Sequence, residues 1–479
     1  MKKPCFALLS LGSVIMCAAF LLPKMSLAAG VREPMVKVSD PKTLQATGEF
    51  LAFDKSFQGG GTVAVDDVNG DGRPEIVVGA GPGGSPRVNI FLTDGTLIKS
   101  FLAYGASYTG GVEVAAGDLN GDGTAEIIAG TGAGGGPQVK IFNASGQDMF
   151  TPGFFAFDKN YHGGIHVAAC DFDGNGTSEI VVGSGNDSDP HVRVFDRFGT
   201  AQALDFRPFS NQDRGGVSVS CLNADGGRTE ELITAIHFYG VAHVKVYRGN
   251  SERTIIGDFI AFPESYRGGI NVAGGDLDGD GLDEVIVSAS QNGGPQVLAF
   301  EAYGKPLGVN YFAYEYTFRG GVNVAAGDTL GLDGPDSIIT MPGSQVAEGR
   351  TDYRKYIEID LSDQRLKYFE NGIKVGEHQI SSGKPGMDTP TGTFKIFNKQ
   401  TVAYSNKYKL YMPSWMQFTA QGHGLHGLPY WKMKNGGLYY EGANHLGRKV
   451  SHGCVRSSIA DAAKLWNWAE NGTTVIVHQ

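Results

Sequence analysis

Six copies of one unit, each just over fifty residues long, make up most of this sequence. The marker of the unit is Phe-x-x-aromatic, and its copies begin at Phe50, Phe101, Phe154, Phe206, Phe259 and, with tyrosine in first place, Tyr311. Each unit continues with Gly-Gly, a Val-rich alternating stretch, an acidic loop, a Glu-Ile-Ile-like run, a Gly-rich turn and Pro-x-Val-x-Val/Ile. Alternating apolar residues separated by turn residues predict four short strands in each unit.

A repeat of this length with four strands predicts a β-propeller, because one small sheet cannot bury both faces without neighbours. The sixth unit stops after two strands, at 322–326 and 337–340, and segments that match its missing strands occur at 34–38 and 50–53. We therefore expect a mainly β protein with a six-bladed propeller over residues 29–342, whose last blade is closed by the N-terminal strands. Such sharing removes an exposed sheet edge.

Four of the units carry an intact acidic loop of the form Asp-x-Asn/Asp-Gly-Asp/Asn-Gly-x-x-Glu. Alternating oxygen ligands around glycine turns suit calcium, which takes about 6–8 oxygens. The predicted calcium ligands are Asp67, Asn69, Asp71, Glu75, Asp118, Asn120, Asp122, Glu126, Asp171, Asp173, Asn175, Glu179, Asp276, Asp278, Asp280 and Glu284. The alternative is that Asp and Asn only cap these turns, and we favour it for the degraded loops at 223–231 and 328–336.

The acidic loops resemble the FG-GAP or VCBS repeats of integrin-type propellers. The last Glu comes eight positions after the first Asp, which is too soon for an EF-hand, and the loops lie between strands rather than helices. No base or reacting group accompanies them, so we expect the calcium to be structural. The ligand of the propeller stays open, with a glycan or a surface protein as the candidates.

The N-terminus has the features of a secretory signal peptide. Lys2 and Lys3 precede an apolar run at 6–22, and a small-x-small cleavage triplet ends at Ala28. We expect a signal peptide over residues 1–28 and an exported protein in the periplasm or at the cell surface or cell wall. An uncleaved anchor is the alternative. No later stretch is apolar enough to span a bilayer, and the net charge of −10 argues against nucleic acid as a partner.

Three cysteines lie outside the signal peptide. Cys170 and Cys221 occupy nearly matching repeat positions, so they either pair or stay as isolated buried thiols. Cys454 is the odd thiol, within Ser451-His452-Gly453-Cys454-Val455-Arg456. The segment that follows reads as a helix with Ser458 as its N-cap. A thiol near a helix N-terminus and flanked by positive charge is expected to have a depressed pKa and to attack carbonyl carbon as thiolate.

A nucleophilic thiol needs a base, and a second cluster, Gly422-His423-Gly424-Leu425-His426-Gly427, offers two imidazoles. The apolar residue before His426 favours that histidine over His423. The alternative for Cys454 is a small buried apolar residue, which is common for free cysteine. Two His/Gly clusters in one short domain are harder to explain by packing alone.

At these residues the last part of the chain, 353–479, resembles the L,D-transpeptidase catalytic domain (YkuD-like). The family signature is an apolar residue with His-Gly, followed by Ser-His-Gly-Cys-x-Arg or Asn. Leu425-His426-Gly427 and residues 451–456 match it. Residues 383–394 carry the family's Gly-Lys, Thr-Pro and Thr-Gly-x-Phe elements. The resemblance implies a mostly β domain, with one helix after Cys454, joined to the propeller by a linker at 343–352. The spacing from His426 to Cys454 is longer than expected, and the extra segment 429–442 is a candidate lid.

The resemblance also implies the chemistry. Cys454 attacks a peptidoglycan stem tetrapeptide, the terminal D-Ala leaves, and an amine of a neighbouring stem resolves the thioester, with His426 as base and acid. Backbone N–H groups of Gly453 and Cys454 are the expected oxyanion donors. His452 is expected to orient the site. Ser451 either positions a histidine or caps a turn, and Arg456 either holds a carboxylate or braces the loop.

No cofactor is expected for this catalysis. Two other functions stay open. With water as the acceptor, the same site makes an L,D-carboxypeptidase, and the sequence does not separate water from an amine. In a third interpretation the protein is an envelope-binding or adhesion protein with a vestigial catalytic domain. Intact Cys454 and His426 argue against this last interpretation.

Overall fold

The computed structural model describes residues 33–479, apart from 187, 212, 239, 250–251, 291–292, 317, 332–333, 345–354, 371–372 and 442. The predicted signal peptide and most of the predicted linker lie outside the described residues. The described chain is mainly β, with 35 strands, one α-helix and one short 3-10 helix. Within the described ranges, no helix is long and apolar enough to cross a membrane.

The first twenty-four strands form six antiparallel sheets of four strands each. In chain order they are β1 (Met35–Ser39), β2 (Ala46–Leu51), β3 (Gly61–Asp66), β4 (Glu75–Ala80), β5 (Arg87–Phe91), β6 (Leu97–Leu102), β7 (Val112–Gly117), β8 (Glu126–Thr131), β9 (Gln138–Phe142), β10 (Phe154–Phe155), β11 (Ile165–Cys170), β12 (Glu179–Ser184), β13 (Val192–Phe195), β14 (Ala201–Phe206), β15 (Val217–Leu222), β16 (Glu231–Ile236), β17 (His243–Arg248), β18 (Ile255–Ile260), β19 (Ile270–Gly275), β20 (Glu284–Ala289), β21 (Gln296–Phe300), β22 (Pro306–Phe312), β23 (Val322–Gly327) and β24 (Ser337–Pro342). The prediction of four strands per unit is confirmed.

Five of these sheets are built from four consecutive strands, and the sixth has the order β2-β1-β24-β23. In that sheet β1 pairs antiparallel with β24, with Lys37 opposite Thr340 and Ser39 opposite Ile338. The first strand of each sheet contacts the first strand of the next, in the order β3, β7, β11, β15, β19 and β23, and β23 contacts β3. Asn323 of β23 also donates a hydrogen bond to the Gly61 carbonyl of β3.

The burial pattern explains why a single sheet would be unstable without its neighbours. The second strands, such as β4 and β8, are buried along their whole length, which leaves no face for solvent. Apolar clusters therefore join residues of adjacent sheets, as where Val77 and Val88 pack with Val112 and Ile127. A lone four-stranded sheet with two apolar faces would be unstable in water.

A disulfide joins Cys170 at the end of β11 to Cys221 of β15, so the two innermost strands of neighbouring sheets are covalently linked. The pairing alternative is therefore the one that the structure adopts. A native disulfide of this kind contributes about 2–4 kcal/mol to the free energy of unfolding. Cys454 is the free cysteine of the described chain.

The remaining strands form two sheets. The bounds are β25 (Lys355–Asp360), β26 (Arg365–Glu370), β27 (Ile373–Gln379), β28 (Gly392–Lys395), β29 (Asn398–Ser405), β30 (Leu410–Gln417), β31 (Gly424–Gly427), β32 (Tyr430–Lys432), β33 (Leu438–Tyr440), β34 (Val455–Ser457) and β35 (Thr474–His478), with a 3-10 helix at Ala443–His445 and the helix α1 at Ile459–Trp468. The first sheet has the order β27-β26-β25-β35-β28. In the second the order is β33-β32-β30-β31-β34, and β29 pairs with β30.

One apolar core holds both sheets and α1 together. It includes Ile357 and Val475 of the first sheet, Leu425 and Val455 of the second, and Leu465 of the helix. The helix begins where the sequence predicts, because the Ser458 hydroxyl accepts a hydrogen bond from the Asp461 amide. The candidate lid at 429–442 contains the hairpin β32–β33, which extends the second sheet beyond β30.

Candidate active site

Two short parallel strands bring the histidine and cysteine motifs together. In the pairing of β31 with β34, Leu425 lies opposite Val455 and His426 lies opposite Arg456. Side chains alternate between the faces of a strand, so Leu425 and Val455 enter the core while His426 and Arg456 share the other face. Cys454 comes two residues before Arg456, next to the Gly424 backbone. The thiol therefore lies on the face that carries His426.

The turn before the thiol is held by its own backbone and by Ser451. The Ser451 hydroxyl donates to the Cys454 carbonyl at 2.5 Å and accepts from the Gly453 amide at 3.1 Å. Ser451 thus caps the turn, which is the second of its two predicted roles. The Gly453 N–H is used in this bond, so in this conformation it is not free for the predicted role as oxyanion donor. Gly453 has a φ of +106°, which disfavours any side chain there.

His426 is buried and points its lone pair in a defined direction. Its Nδ1 lies 2.6 Å from the Gly427 carbonyl, so Nδ1–H donates to that oxygen and Nε2 is left as the acceptor. The Trp415 ring lies beside it, with ring centroids 5.8 Å apart. Burial lowers the pKa of His426 to about 3, so the imidazole is neutral at physiological pH and Nε2 keeps its lone pair.

The predicted depression of the Cys454 pKa is wrong. Burial raises the pKa of the thiol, and this effect outweighs the Gly424 amide and the Arg456 charge, which act in the opposite direction. The strand β34 separates Cys454 from α1, so the thiol does not lie at the helix N-terminus. The resting site therefore holds a thiol beside a neutral imidazole, and the thiolate has to be generated by proton transfer.

The two other histidines border the same loop. His423 Nδ1 shares a hydrogen bond of 2.9 Å with the Thr419 hydroxyl, and its ring lies against Gly453, where an added Cβ would come within 2.8 Å of the imidazole. His452 is exposed and stacks on Tyr408, with ring centroids 4.4 Å apart. His452 thus contacts an aromatic ring, where the sequence suggested orientation by hydrogen bonds.

Sequence reasoning missed Glu441. Its Oε2 lies 2.8 Å from Nη1 of Arg456, whose side chain is 5% exposed, and its Oε1 lies 3.3 Å from Nδ1 of His445. The Arg456 backbone also exchanges two hydrogen bonds with Ser381. Arg456 therefore braces the loop, and its Nε has no hydrogen-bond partner among the described residues. One sequence signal was available, because Glu441 is the single acidic residue between Asp388 and Asp461.

Glu441→Gln is expected to leave the buried Arg456 guanidinium without its counter-charge. Because an uncompensated buried polar group destabilises by roughly 1–3 kcal/mol, we expect a lower melting temperature and a decrease in kcat/KM of about tenfold or more. Thermal unfolding and steady-state kinetics measure both. Asp363→Asn, at an exposed turn, is the matched control. A variant with wild-type melting and kinetics would show that the pair has no role in holding the loop.

The acidic loops differ in how well their predicted ligands converge. In the fourth loop one carboxylate oxygen from each of Asp276, Asp278 and Glu284 lies within 4.8 Å of the others, which fits a hard cation such as calcium. In the first loop the Asn69 amide donates to Glu75, and the second loop has the same bond from Asn120 to Glu126. Those amides occupy carboxylate oxygens that calcium would need.

The first Asp of every intact loop also accepts backbone amides. Asp276 accepts hydrogen bonds from the amides of Gly279 and Gly281 at 2.7 and 2.9 Å, so a residue predicted as a calcium ligand also caps the turn. The third loop is built in the same way around Asp171, Asp173, Asn175 and Glu179. Burial and the neighbouring carboxylates raise the pKa of Glu284 to about 7, which a bound cation would reverse.

Comparison with known proteins finds a family match in each part of the chain. Residues 354–477 match the profile of the L,D-transpeptidase catalytic domain (YkuD), and residues 67–129 match that of the FG-GAP-like repeat. The chain therefore carries an L,D-transpeptidase catalytic domain preceded by FG-GAP-like repeats, as the sequence motifs predicted.

Two curated relatives and two solved structures are similar to the catalytic part. The YkuD proteins of Bacillus licheniformis and Bacillus subtilis, named as L,D-transpeptidases, are 27% and 26% identical over 33% and 26% of this chain and 78% and 66% of their own. The L,D-transpeptidases of Stackebrandtia nassauensis and Enterococcus faecium, the latter solved as a cysteine-to-serine mutant, are 29% and 30% identical, with TM-scores of 0.23 and 0.21. These matches cover 28% and 26% of this chain and 59% and 50% of the solved chains.

Proposed function

We propose that this protein is an exported L,D-transpeptidase that cross-links peptidoglycan stem peptides through an acyl-enzyme on Cys454. The observation that carries the proposal is the commitment of His426 Nδ1–H to the Gly427 carbonyl, which leaves Nε2 as a base on the face that carries a free thiol. The match of residues 354–477 to the L,D-transpeptidase catalytic domain supports the substrate class.

In the first half-reaction the Cys454 sulfur attacks the carbonyl carbon of the third stem residue while His426 Nε2 takes the thiol proton. The C–N bond to the terminal D-Ala then breaks, and the leaving amine takes that proton from His426. The product is a thioester on Cys454. Negative charge builds up on the attacked oxygen, and we assign its stabilisation to the Cys454 N–H, since the Gly453 N–H is bonded to Ser451.

In the second half-reaction an acceptor amine attacks the thioester carbonyl and gives its proton to His426, which returns it to the departing sulfur. A new amide bond forms and the free thiol is restored. Water in place of the amine would give a shortened stem and a carboxypeptidase. Arg456 lies on the same face, but its guanidinium is buried against Glu441, so we assign it the bracing function and no contact with the substrate.

The experiment is to incubate the purified protein with disaccharide-tetrapeptide and to identify the products by mass. Cross-linked dimers with released D-Ala are expected. Tripeptide alone would replace the transpeptidase by an L,D-carboxypeptidase. With no product under conditions where a known L,D-transpeptidase is active, the binding or adhesion interpretation would be favoured.

We further propose that the six sheets are the blades of a closed six-bladed propeller stabilised by calcium. The cyclic contacts of the first strands and the pairing of β1 with β24 support closure. The convergence of three carboxylates in the fourth loop supports a cation there. Calcium would neutralise carboxylates that are crowded against one another and would hold the loop between two strands. It has no part in the acyl transfer.

Chelation of calcium is expected to lower the melting temperature of the propeller. A ligand present at about 100 times its Kd stabilises by roughly 2.7 kcal/mol, which corresponds to a shift of about 4 °C in a domain of roughly 310 residues, at about 2.1 cal/mol/K of unfolding entropy per residue. Differential scanning calorimetry with EDTA, and then with excess calcium, measures the shift. Asp278→Asn should remove part of it, whereas Asp328→Asn in a degraded loop should not. Identical melting with and without calcium would favour turns that need no metal.

A further inference from the structure

The ring of sheets encloses an axial cavity of about 680 Å³, at the end opposite the acidic loops. Its wall includes the second residue of most of the first strands. These residues are Thr62, Glu113, His166, Asn271 and Asn323. They are polar, although the positions on either side of them along each strand are mostly apolar. Lys374 of β27 also borders the cavity, but no residue of the Cys454 site lines it, and the cavity has no role in the function proposed above.

Three of these polar side chains have a structural explanation. Thr62 donates to the Val112 carbonyl at 2.8 Å, Asn271 to the Val322 carbonyl at 2.6 Å and Asn323 to the Gly61 carbonyl at 2.7 Å. Each of these hydrogen bonds joins one sheet to the next, so the three residues stabilise the contacts between neighbouring sheets. Glu113 and His166 instead contact each other, with Glu113 Oε2 3.4 Å from His166 Nδ1.

A third residue, His237, completes this group. It follows β16, and its ring centroid lies 3.9 Å from that of His166. The His237 side chain lines the cavity and is nine-tenths buried, yet its Nδ1 has no hydrogen-bond partner in the described structure. Leaving a buried polar atom unpaired costs about 1–3 kcal/mol, so a packing function alone accounts poorly for this imidazole.

The repeat itself shows that the fold does not need a histidine at this position. The residue that follows the second strand of each sheet makes the same backbone hydrogen bond, from its amide to a carbonyl of the Gly-Gly turn, as between Ser290 and Gly269. The residues at this position are Gly81, Gly132, Gly185, His237, Ser290 and Gly343. Five sheets thus use glycine or serine, and one places an imidazole beside a second imidazole that faces a carboxylate.

We propose that His166 and His237 form an open binding site for a divalent transition metal ion, such as Ni²⁺, Zn²⁺ or Cu²⁺. Imidazole nitrogen is a preferred ligand of these ions. Glu113 acts as the carboxylate partner that orients His166, an arrangement common behind metal-bound histidine. His237 Nδ1 supplies the second ligand, and molecules in the cavity complete the coordination. The pair differs from the acidic loops, whose oxygen ligands suit calcium.

The contacts of His237 leave one nitrogen for a metal. Its ring packs against His166 and Phe238 and hydrogen-bonds to the Asn271 side chain and the Ile270 backbone, while Nδ1 has no partner among the described residues. Glu113 lies beyond His166. A bound cation would partner the orphaned nitrogen and also balance the Glu113 charge.

The test is a titration of the full chain with NiCl₂ by isothermal calorimetry, in excess calcium and in a Cys454→Ala background that removes the free thiol as a competing ligand. We expect one site that requires both histidines. His237→Gln should weaken binding at least 100-fold, and Glu113→Gln should weaken it roughly 10–100-fold through His166. His162→Gln, an exposed histidine at the rim of the same cavity, is the matched control and should leave the affinity unchanged.

A second readout is the visible absorption of Co²⁺, whose bands report nitrogen ligation and should disappear in His237→Gln. Circular dichroism and melting curves check that each variant is folded. If His237→Gln does not fold, His166→Gln and Glu113→Gln decide the question in the same assay. The proposal is overturned if no ion binds at millimolar concentration, or if the affinity is equal in the wild type and in every folded variant of the three residues.

Discussion

Cys454→Ala is expected to reduce the formation of cross-linked stem peptides by at least roughly 10⁴-fold, because removal of the nucleophile of a covalent mechanism leaves only binding and oxyanion contributions. The side chain is partly exposed, and its polar contacts are with backbone groups: the Gly424 amide and the Gly422 carbonyl, which lies 3.9 Å from Sγ. Its loss should therefore leave folding intact. The measurement is product mass after incubation with disaccharide-tetrapeptide.

Two controls make this result specific. The melting curve of Cys454→Ala should match that of the wild type, since the Cys170–Cys221 disulfide is untouched. The wild-type protein should also form a covalent adduct on Cys454 with a thiol reagent, and the variant should not. Substantial cross-linking by the alanine variant would end the assignment of Cys454 as nucleophile.

His426→Gln is expected to lower kcat/KM by roughly 10²–10⁴-fold, the usual contribution of a general base. The sign of the pH dependence follows from the pKa values. In the wild type, His426 has a pKa of about 3 and stays neutral from pH 5 to 8, so it causes no loss of activity on that interval. In the variant no base remains, and the rate should rise with pH because only the thiolate fraction of Cys454 reacts. Full pH–rate profiles measure both.

His423→Gln is the matched control, because it changes a second imidazole of the same cluster that also borders the loop. Its Nδ1 is engaged with Thr419 and its ring packs on Gly453, so we expect a loss of about tenfold or less. If His423→Gln lost activity as fully as His426→Gln is predicted to, and His426→Gln stayed active, the base would have to be reassigned to His423.

Much of the fold was predictable because its strands and turns follow from sequence patterns a few residues long. The spacing of Gly-Gly turns and alternating valines predicted four strands per unit, and each sheet has four. The Ser458 cap predicted the start of the single α-helix of the described chain. Turn chemistry and residue alternation act over a few positions, so they can be read without knowledge of the partner strand.

For the site, the sequence predicted which residues take part but not their charge states or their contacts. The motifs named Cys454 and His426, but the direction of the thiol pKa shift was predicted wrongly, since it depends on how much surrounding chain covers the sulfur. Glu441 was missed because its importance comes from Arg456, which lies fifteen residues away in β34. The Gly453 amide could not be known to be occupied until the turn was folded.

The sequence by itself determined the repeated four-stranded units, the family of the catalytic domain and the cysteine and histidine that we propose to react. The tertiary structure decided that Cys170 pairs with Cys221, that the thiol and its imidazole rest uncharged, and that His166 lies against His237. The physical reason is that strands and turns arise from neighbours in the chain. Burial, ion pairing and ligand geometry arise from atoms that only the packed molecule brings together.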